Sequence, residues 1–361
     1  SANVMNGVAD FAKNADDTSK QNQTDATNQA LYNGYNNASE GYESQLGGNA
    51  DNTNTNVAYN AGVHMAIDRA NGISAAIANP SATASGSPAQ VAAFNATVAG
   101  YRDVINGTNS GQTPSSSDAP QSKVYGDSYD QAISTATASA NNGAQAFVQN
   151  TGQPTSGNDY NSIATLDGYN QAKQGHDYFA TGKTPQSTTA AYMAGFNAAK
   201  SAASGLSDAE SATNSGQGTA QDANAYGDAQ TAYIDAFNYV TAHPQDTAAQ
   251  SFANKSTAYN DSYNAAKTYL QGQYVAGQDQ FVNQYANGNG SASLSGVAST
   301  QAQALVNQGF NDMLSGYNES INGNNLNGTA SSSDNPVQKA GFDEGQLVLK
   351  AANQVANGNT T

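Results

Sequence analysis

The chain has 361 residues, 12 of them basic and 28 acidic, for a formal charge of -16, which removes the electrostatic basis of nucleic-acid binding. With no Cys it carries no disulfide scaffold, thiolate metal site or Cys nucleophile, and no apolar run reaches the roughly 18 residues of a membrane-inserted helix. Only 46 residues are Leu, Ile, Val or Phe, so a core must draw on the 20 Tyr residues and many Ala residues, which a repeated thin core can use.

In chain order, Val4, Val8 and Phe11 stand at helical spacing and predict a helix within a capping segment, residues 1–28, that ends in a polar stretch. The opening at Ser1 lacks a basic and apolar leader, and the expectation is a mature secreted product whose signal has been removed. From 29 to 321 the chain reads as an array of about five two-helix repeats of roughly 67 residues. One series opens at Tyr59, Tyr125, Tyr192 and Tyr259, whose steps are 66, 67 and 67 residues. A second falls between them at Gly34-Tyr35, Gly100-Tyr101, Gly168-Tyr169, Ala236-Phe237 and Gly309-Phe310. Gly341-Phe342 is a last copy of the first series, within a C-terminal linker and closing helix, 322–361.

Each copy has a helical period: Tyr192, Phe196 and Ala199 recur at i, i+4 and i+7, as do Tyr259, Tyr263 and Ala266. Tyr274, Phe281 and Tyr285 extend the Tyr259 helix to nearly thirty residues. Segments rich in Gly, Ser, Thr, Asn and Pro separate the copies, and Ser87-Pro88, Thr184-Pro185 and Asn335-Pro336 match an N-cap followed by Pro. The expected fold is all-α, with about ten helices in a solenoid-like stack. A closed helical toroid or serial bundles would use the same helices.

Phase divides the aromatics. Tyr35, Tyr59, Tyr101, Tyr125, Tyr129, Tyr169, Tyr192, Phe196, Phe237, Tyr259, Tyr263, Phe310 and Phe342 sit at the repeat phase and are expected in the core. Tyr42, Tyr160, Tyr226, Tyr239 and Tyr317 fall off it and are expected as an exposed contact surface with neighbouring Asn and Gln. The small residue beside each aromatic predicts close approach of two helix backbones, because Gly inside a helix otherwise costs about 1 kcal/mol relative to Ala.

Markers of chemistry are sparse. His64, His176 and His243 share no repeat position, so no metal or cofactor is expected. Asp51 to Asn56 has oxygen ligands at alternate positions but lacks the sixth-position Gly and twelfth-position Glu of a calcium loop. No Gly-x-Ser-x-Gly elbow or phosphate-cradling loop occurs, and none of the five Glu residues sits in a catalytic motif. No catalytic residue is assigned.

The phrases Tyr-Asn-Gly-Tyr-Asn-Asn-Ala at 32–38 and Ala-Gly-Phe-Asn-Ala-Ala-Lys at 194–200, with low charge and abundant Asn, Ser, Thr and Gln, resemble cell-surface repeat proteins of lactic-acid bacteria. The resemblance implies an exported protein of the envelope or matrix, used in adhesion, aggregation or surface coating. The expected function is a non-enzymatic, self-associating structural protein forming a coat, stalk or filament. A module binding glycans or host-surface proteins is the first alternative, and a polysaccharide-active helical enzyme the second.

Overall fold

Helices start where the sequence offers a short polar side chain. In the computed structural model, which describes residues 2–15, 25–213, 215–286, 299–323, 326–332 and 334–357, the side chains of Asp25, Asn56, Ser87, Asp159, Asp222, Ser256 and Asn335 each accept a backbone N–H from the first turn that follows. Each such cap contributes about 1 kcal/mol. The described residues form eleven α-helices and no strand: α1 (Ala2–Ala12), α2 (Ala26–Leu46), α3 (Val57–Ala78), α4 (Pro88–Asn106), α5 (Ser122–Val148), α6 (Tyr160–Phe179), α7 (Ala190–Ser211), α8 (Ala223–Ala242), α9 (Thr257–Phe281), α10 (Thr300–Gly323) and α11 (Pro336–Ala356). A π-helical turn, Val282–Ala286, prolongs α9, in keeping with the long helix expected there. Ser87-Pro88 and Asn335-Pro336 are N-caps with Pro in the first turn, but Thr184-Pro185 lies in a loop. There α7 starts later, and the Thr189 hydroxyl accepts the Tyr192 N–H instead. Part of the polar stretch in the capping segment, 16–24, lies outside the described residues.

The chain divides into two compact units, one of Ser1–Phe147 with Gly152–Phe196 and the other of Val148–Thr151 with Asn197–Thr361. Within the first, α1 packs on α2, α2 on α3 and α3 on α4; within the second, α8 packs on α9, α9 on α10 and α10 on α11. Neighbours in sequence are neighbours in space, the packing expected of helical repeats.

Glycine sets the closeness of this packing. A Cβ built on Gly62 of α3 would lie 1.9 Å from the Ala38 carbonyl oxygen of α2, and one built on Gly41 of α2 would lie 2.0 Å from that of Tyr59. Each glycine thus rests on the carbonyl three residues before its partner glycine, and the contacts advance together along both helices, so the paired helices run in the same direction. Gly7 of α1 faces Leu31 of α2 while Phe11 faces Tyr35 and Tyr42, and Gly341 of α11 faces Met313 of α10 while Gly345 faces Tyr317 and Ser320. Gly7 and Gly34, Gly143 and Gly168, and Gly175 and Gly195 repeat the arrangement in the first unit; Gly277 and Gly309, and Gly316 and Gly341, repeat it in the second. Across all six pairs the clash distance is 1.7 to 2.1 Å. Only hydrogen fits there, and the Cα–H groups point at carbonyl oxygens.

Helices α2, α6 and α10 each carry two of these glycines seven residues apart, one for the preceding helix and one for the following. The full glycine pattern therefore returns only at every second copy of the 67-residue repeat.

Because every interior helix touches two neighbours, it buries two faces, and this corrects the division of the tyrosines. Tyr42, Tyr160 and Tyr226, expected on the surface, are buried at 0%, 4% and 3% exposure. A phase counted from one aromatic per helix identifies only one of those faces. Tyr239 and Tyr317 are half-buried, Tyr239 stacked on His243 and Tyr317 packed against Phe281. Of the expected core, Tyr59, Tyr101, Tyr125, Tyr129, Tyr192, Phe196, Tyr259, Tyr263 and Phe342 are buried. Tyr35, Tyr169, Phe237 and Phe310 are only half-buried, because the adjacent Gly or Ala holds the point of closest approach and the ring flanks it.

Candidate functional site

A Tyr buried in an alanine-rich core needs a partner for its hydroxyl, and in this chain the partner is repeatedly Asp. Tyr42 donates to Asp127 (2.9 Å), Tyr259 to Asp235 (2.6 Å) and Tyr274 to Asp312 (2.6 Å), while Tyr239 donates to Asp246. Two further pairs organise the ends of α4 and α7 and border clefts.

At the C-terminus of α4, Asp103 is 1% exposed and accepts from the Thr108 and Ser110 hydroxyls (2.5 and 2.7 Å), the Ser110 and Gly111 backbone N–H groups (3.0 and 2.7 Å) and the Tyr129 hydroxyl of α5 (2.7 Å). At the C-terminus of α7, Asp208 is 4% exposed and accepts from the Thr213 and Ser215 hydroxyls (2.9 and 2.8 Å), the Gly216 N–H (2.7 Å) and the Tyr226 hydroxyl of α8 (2.7 Å). The backbone repeats as well: Thr108 N–H bonds the Asp103 carbonyl and Thr213 N–H that of Asp208, both at 2.8 Å, closing a left-handed helix cap at Gly107 (φ 66°) and at Ala212 (φ 55°).

Burial pushes the Asp103 carboxyl up, but its donors outweigh burial and hold it far below the usual carboxylate range. For Asp208 the Tyr226 hydroxyl leads, with Gly216 N–H and the two hydroxyls, in holding the value at about 2. Both carboxylates are committed to joining a helix end, the loop after it and the next helix.

A cleft adjoins each junction, built from equivalent positions. In the first unit Asp103, Val104, Gly107 and Thr108 face Ile133 and Thr137 across about 270 Å³, with Asn141 and Gln171 completing the wall. In the second, Asp208, Ala209, Ala212 and Thr213 face Gln230 and Ile234 across about 300 Å³, with Gln301 alongside. The first continues into a polar lobe of about 550 Å³ walled by Asn106, Asp167, Gln171, Gln174, Gln186 and the 187–189 hydroxyls. Gln171 donates to Asp167 and accepts from Thr189 (2.6 Å), so it is held at the junction of the lobes. Burial raises the Asp167 carboxyl. Tyr192 borders this lobe, but its ring is buried and presents no stacking platform. Amides and hydroxyls that both donate and accept, beside one such carboxyl, suit a polar uncharged ligand.

Sequence periodicity missed these junctions although a signal exists. Thr-Asn-Ser-Gly-Gln occurs at 108–112 and again at 213–217, each preceded by Asp at five residues. The recurrence is 105 residues, so a search tuned to 67 passes over it. The tyrosines expected to form a contact surface are not gathered into these clefts.

Elsewhere, polar groups serve the fold. Lys267, 2% exposed, donates to the Ala248 carbonyl (2.6 Å), faces Asp246 at 3.6 Å and lies over the Tyr239 ring, pinning the loop before α9. In the 51–56 segment Asp51 accepts from the Thr53 N–H and hydroxyl, and Asn56 caps α3. His64 and His243 are exposed and His176 is half-buried, and no metal-binding cluster occurs among the described residues.

Fold and junctions together define an all-helical protein with repeat-like sequential packing. Comparison with protein-family models, curated proteins and solved structures gave no match.

Proposed function

We propose that the chain is a non-enzymatic, secreted structural protein of a cell surface or extracellular matrix that self-associates into a coat, stalk or filament. The observation that carries this reading is where the recurrent residues are spent: paired glycines and twin Asp-centred junctions make helix-to-helix interfaces. The uncharged polar composition fits a protein exposed to solvent over long stretches, and among the described residues no helix is long and apolar enough to cross a membrane. The test is light scattering with electron microscopy of the purified chain between pH 4 and 7. Acidification neutralises carboxylates of a chain of formal charge -16 and so relieves repulsion between copies. Ordered or larger particles toward pH 4 are expected, and a strictly monomeric chain across the range refutes self-association.

The twin clefts favour one second reading, an adhesin module that takes a polar uncharged ligand such as a glycan. It predicts chemical-shift changes confined to residues around Gln171 and Gln230 on glycan titration, abolished at the first cleft by Gln171→Ala. An unchanged spectrum across a glycan panel removes it.

A further inference from the structure

The first cleft has two lobes of different chemistry. Val104 of α4, Ile133 and Ala140 of α5, and Ala190 and Ala191 of α7 give the lobe of about 270 Å³ an aliphatic wall. The lobe of about 550 Å³ beside it is walled by amides and hydroxyls, and among the described residues Asp167 is its only charged side chain. Gly107, Gln171 and Thr189 line both, so one ligand can reach from one lobe into the other.

Two groups at the junction of the lobes have hydrogen-bonding capacity to spare. Gln171 donates one amide hydrogen to Asp167 and accepts from the Thr189 hydroxyl, which leaves a second N–H and a second lone pair on the same amide. Asp167 takes that donor on Oδ2, and among the described residues no donor reaches Oδ1. Burial raises the Asp167 carboxyl, so a further donor would stabilise its charged form. The aliphatic lobe needs a different match. An unsubstituted sugar carries its apolar surface as flat C–H faces, whose counterpart is an aromatic ring, and the Tyr192 ring is buried.

We propose that this cleft binds an uncharged N-acetylated amino sugar, with the acetyl methyl in the aliphatic lobe, the acetamido group on the Gln171 amide and ring hydroxyls on Asp167 Oδ1. The inference rests on the glycan reading and names the class of glycan. An acetamido group joins a methyl to an amide, the same pairing of apolar and hydrogen-bonding chemistry that the two lobes present. The charge of Asp167, balanced by no cation in the wall, excludes carboxylated N-acetyl sugars such as sialic acids. Charge therefore separates two sources of the same acetamido chemistry.

NMR titration of the full chain with diacetylchitobiose tests this, against cellobiose, a disaccharide of the same linkage with hydroxyls in place of the acetamido groups, and against sialyllactose. Shifts at Gln171, Thr189 and Ala190, binding about tenfold or more tighter than that of cellobiose, and no binding of sialyllactose are the expected results. Ala190→Leu, at an exposed position beside the aliphatic lobe, is expected to remove the preference. Asp167→Asn is expected to weaken both disaccharides about tenfold, since a hydrogen bond to a charged acceptor is lost. An unchanged circular dichroism spectrum verifies the folding of each variant. Cellobiose bound as tightly, sialyllactose bound better, a preference intact in Ala190→Leu or undiminished binding by Asp167→Asn overturns the assignment and leaves the glycan reading standing. So does silence toward all three probes when another glycan shifts the same signals. Silence toward every glycan overturns both.

Discussion

Tyr129 donates its hydroxyl to the Asp103 carboxylate at 2.7 Å, joining α5 to the end of α4 through a group withdrawn from solvent. Removing that donor leaves a buried carboxylate one bond short, and hydrogen bonds to charged groups are worth about 1.5–3 kcal/mol. Tyr129→Phe is accordingly expected to destabilise the chain by about 2 kcal/mol. Asp103→Asn, which converts a pure acceptor into a group that also donates, is expected to be worse. Urea unfolding of both variants checks the order, and a neutral Tyr129→Phe would show that the bond adds nothing.

The same junctions set acid stability. Asp208 is held at about 2 by the Tyr226 hydroxyl and its other donors, below the ordinary carboxylate value. Its contribution is complete above the unfolded value of about 4 and is lost as pH falls through about 2. Unfolding free energy is expected to fall steeply between pH 4 and 2, with a shallower slope for Asp208→Asn. An identical slope in the variant would remove Asp208 as a source.

Gly107 and Ala212 hold the same left-handed cap position, with φ of 66° and 55°. A side chain in that region costs about 1–2 kcal/mol, which Gly avoids. Ala212→Gly is expected to stabilise by about 1 kcal/mol and Gly107→Ala to destabilise by a similar amount. Thermal melts of the pair give opposite signs if the cap geometry is right.

Glycines of two kinds occupy the helices. Gly62→Ala forces a methyl group to within 1.9 Å of a carbonyl oxygen and is expected to cost at least about 1–3 kcal/mol as α2 and α3 separate. A Cβ on Gly272 of α9 meets no atom within 4 Å, and Gly272→Ala is expected to stabilise by about 1 kcal/mol through helix propensity. Similar effects at the two positions would contradict backbone contact at the paired glycines.

Alkaline titration reads the core tyrosines directly. Burial is the leading cause that pushes Tyr101, Tyr226 and Tyr263 up to about 12, with nearby Asp carboxylates adding to it. Their contribution to stability is complete below the ordinary value of about 10 and is lost as pH rises through about 12. In a chain with 20 Tyr and no Trp, tyrosinate absorbance is expected to rise in two stages, exposed rings first and buried rings together with unfolding. A single reversible step near pH 10 would refute burial.

The sequence alone determined the helices, because a 3.6-residue spacing of Tyr and Ala and short polar caps such as Ser87 and Asn335 are local properties. It also determined that small residues beside aromatics mark close packing, since glycine's cost inside a helix needs compensation. Which faces are buried was decided only by tertiary structure. Tyr42 and Tyr226 look off-phase until a second neighbouring helix is counted, and the Asp103 and Asp208 junctions draw on loops and on α5 and α8, 26 and 18 residues away in sequence. Periodicity along one helix reports the neighbour it was phased to. The second neighbour and the carboxylate beneath a tyrosine exist only once three elements have met.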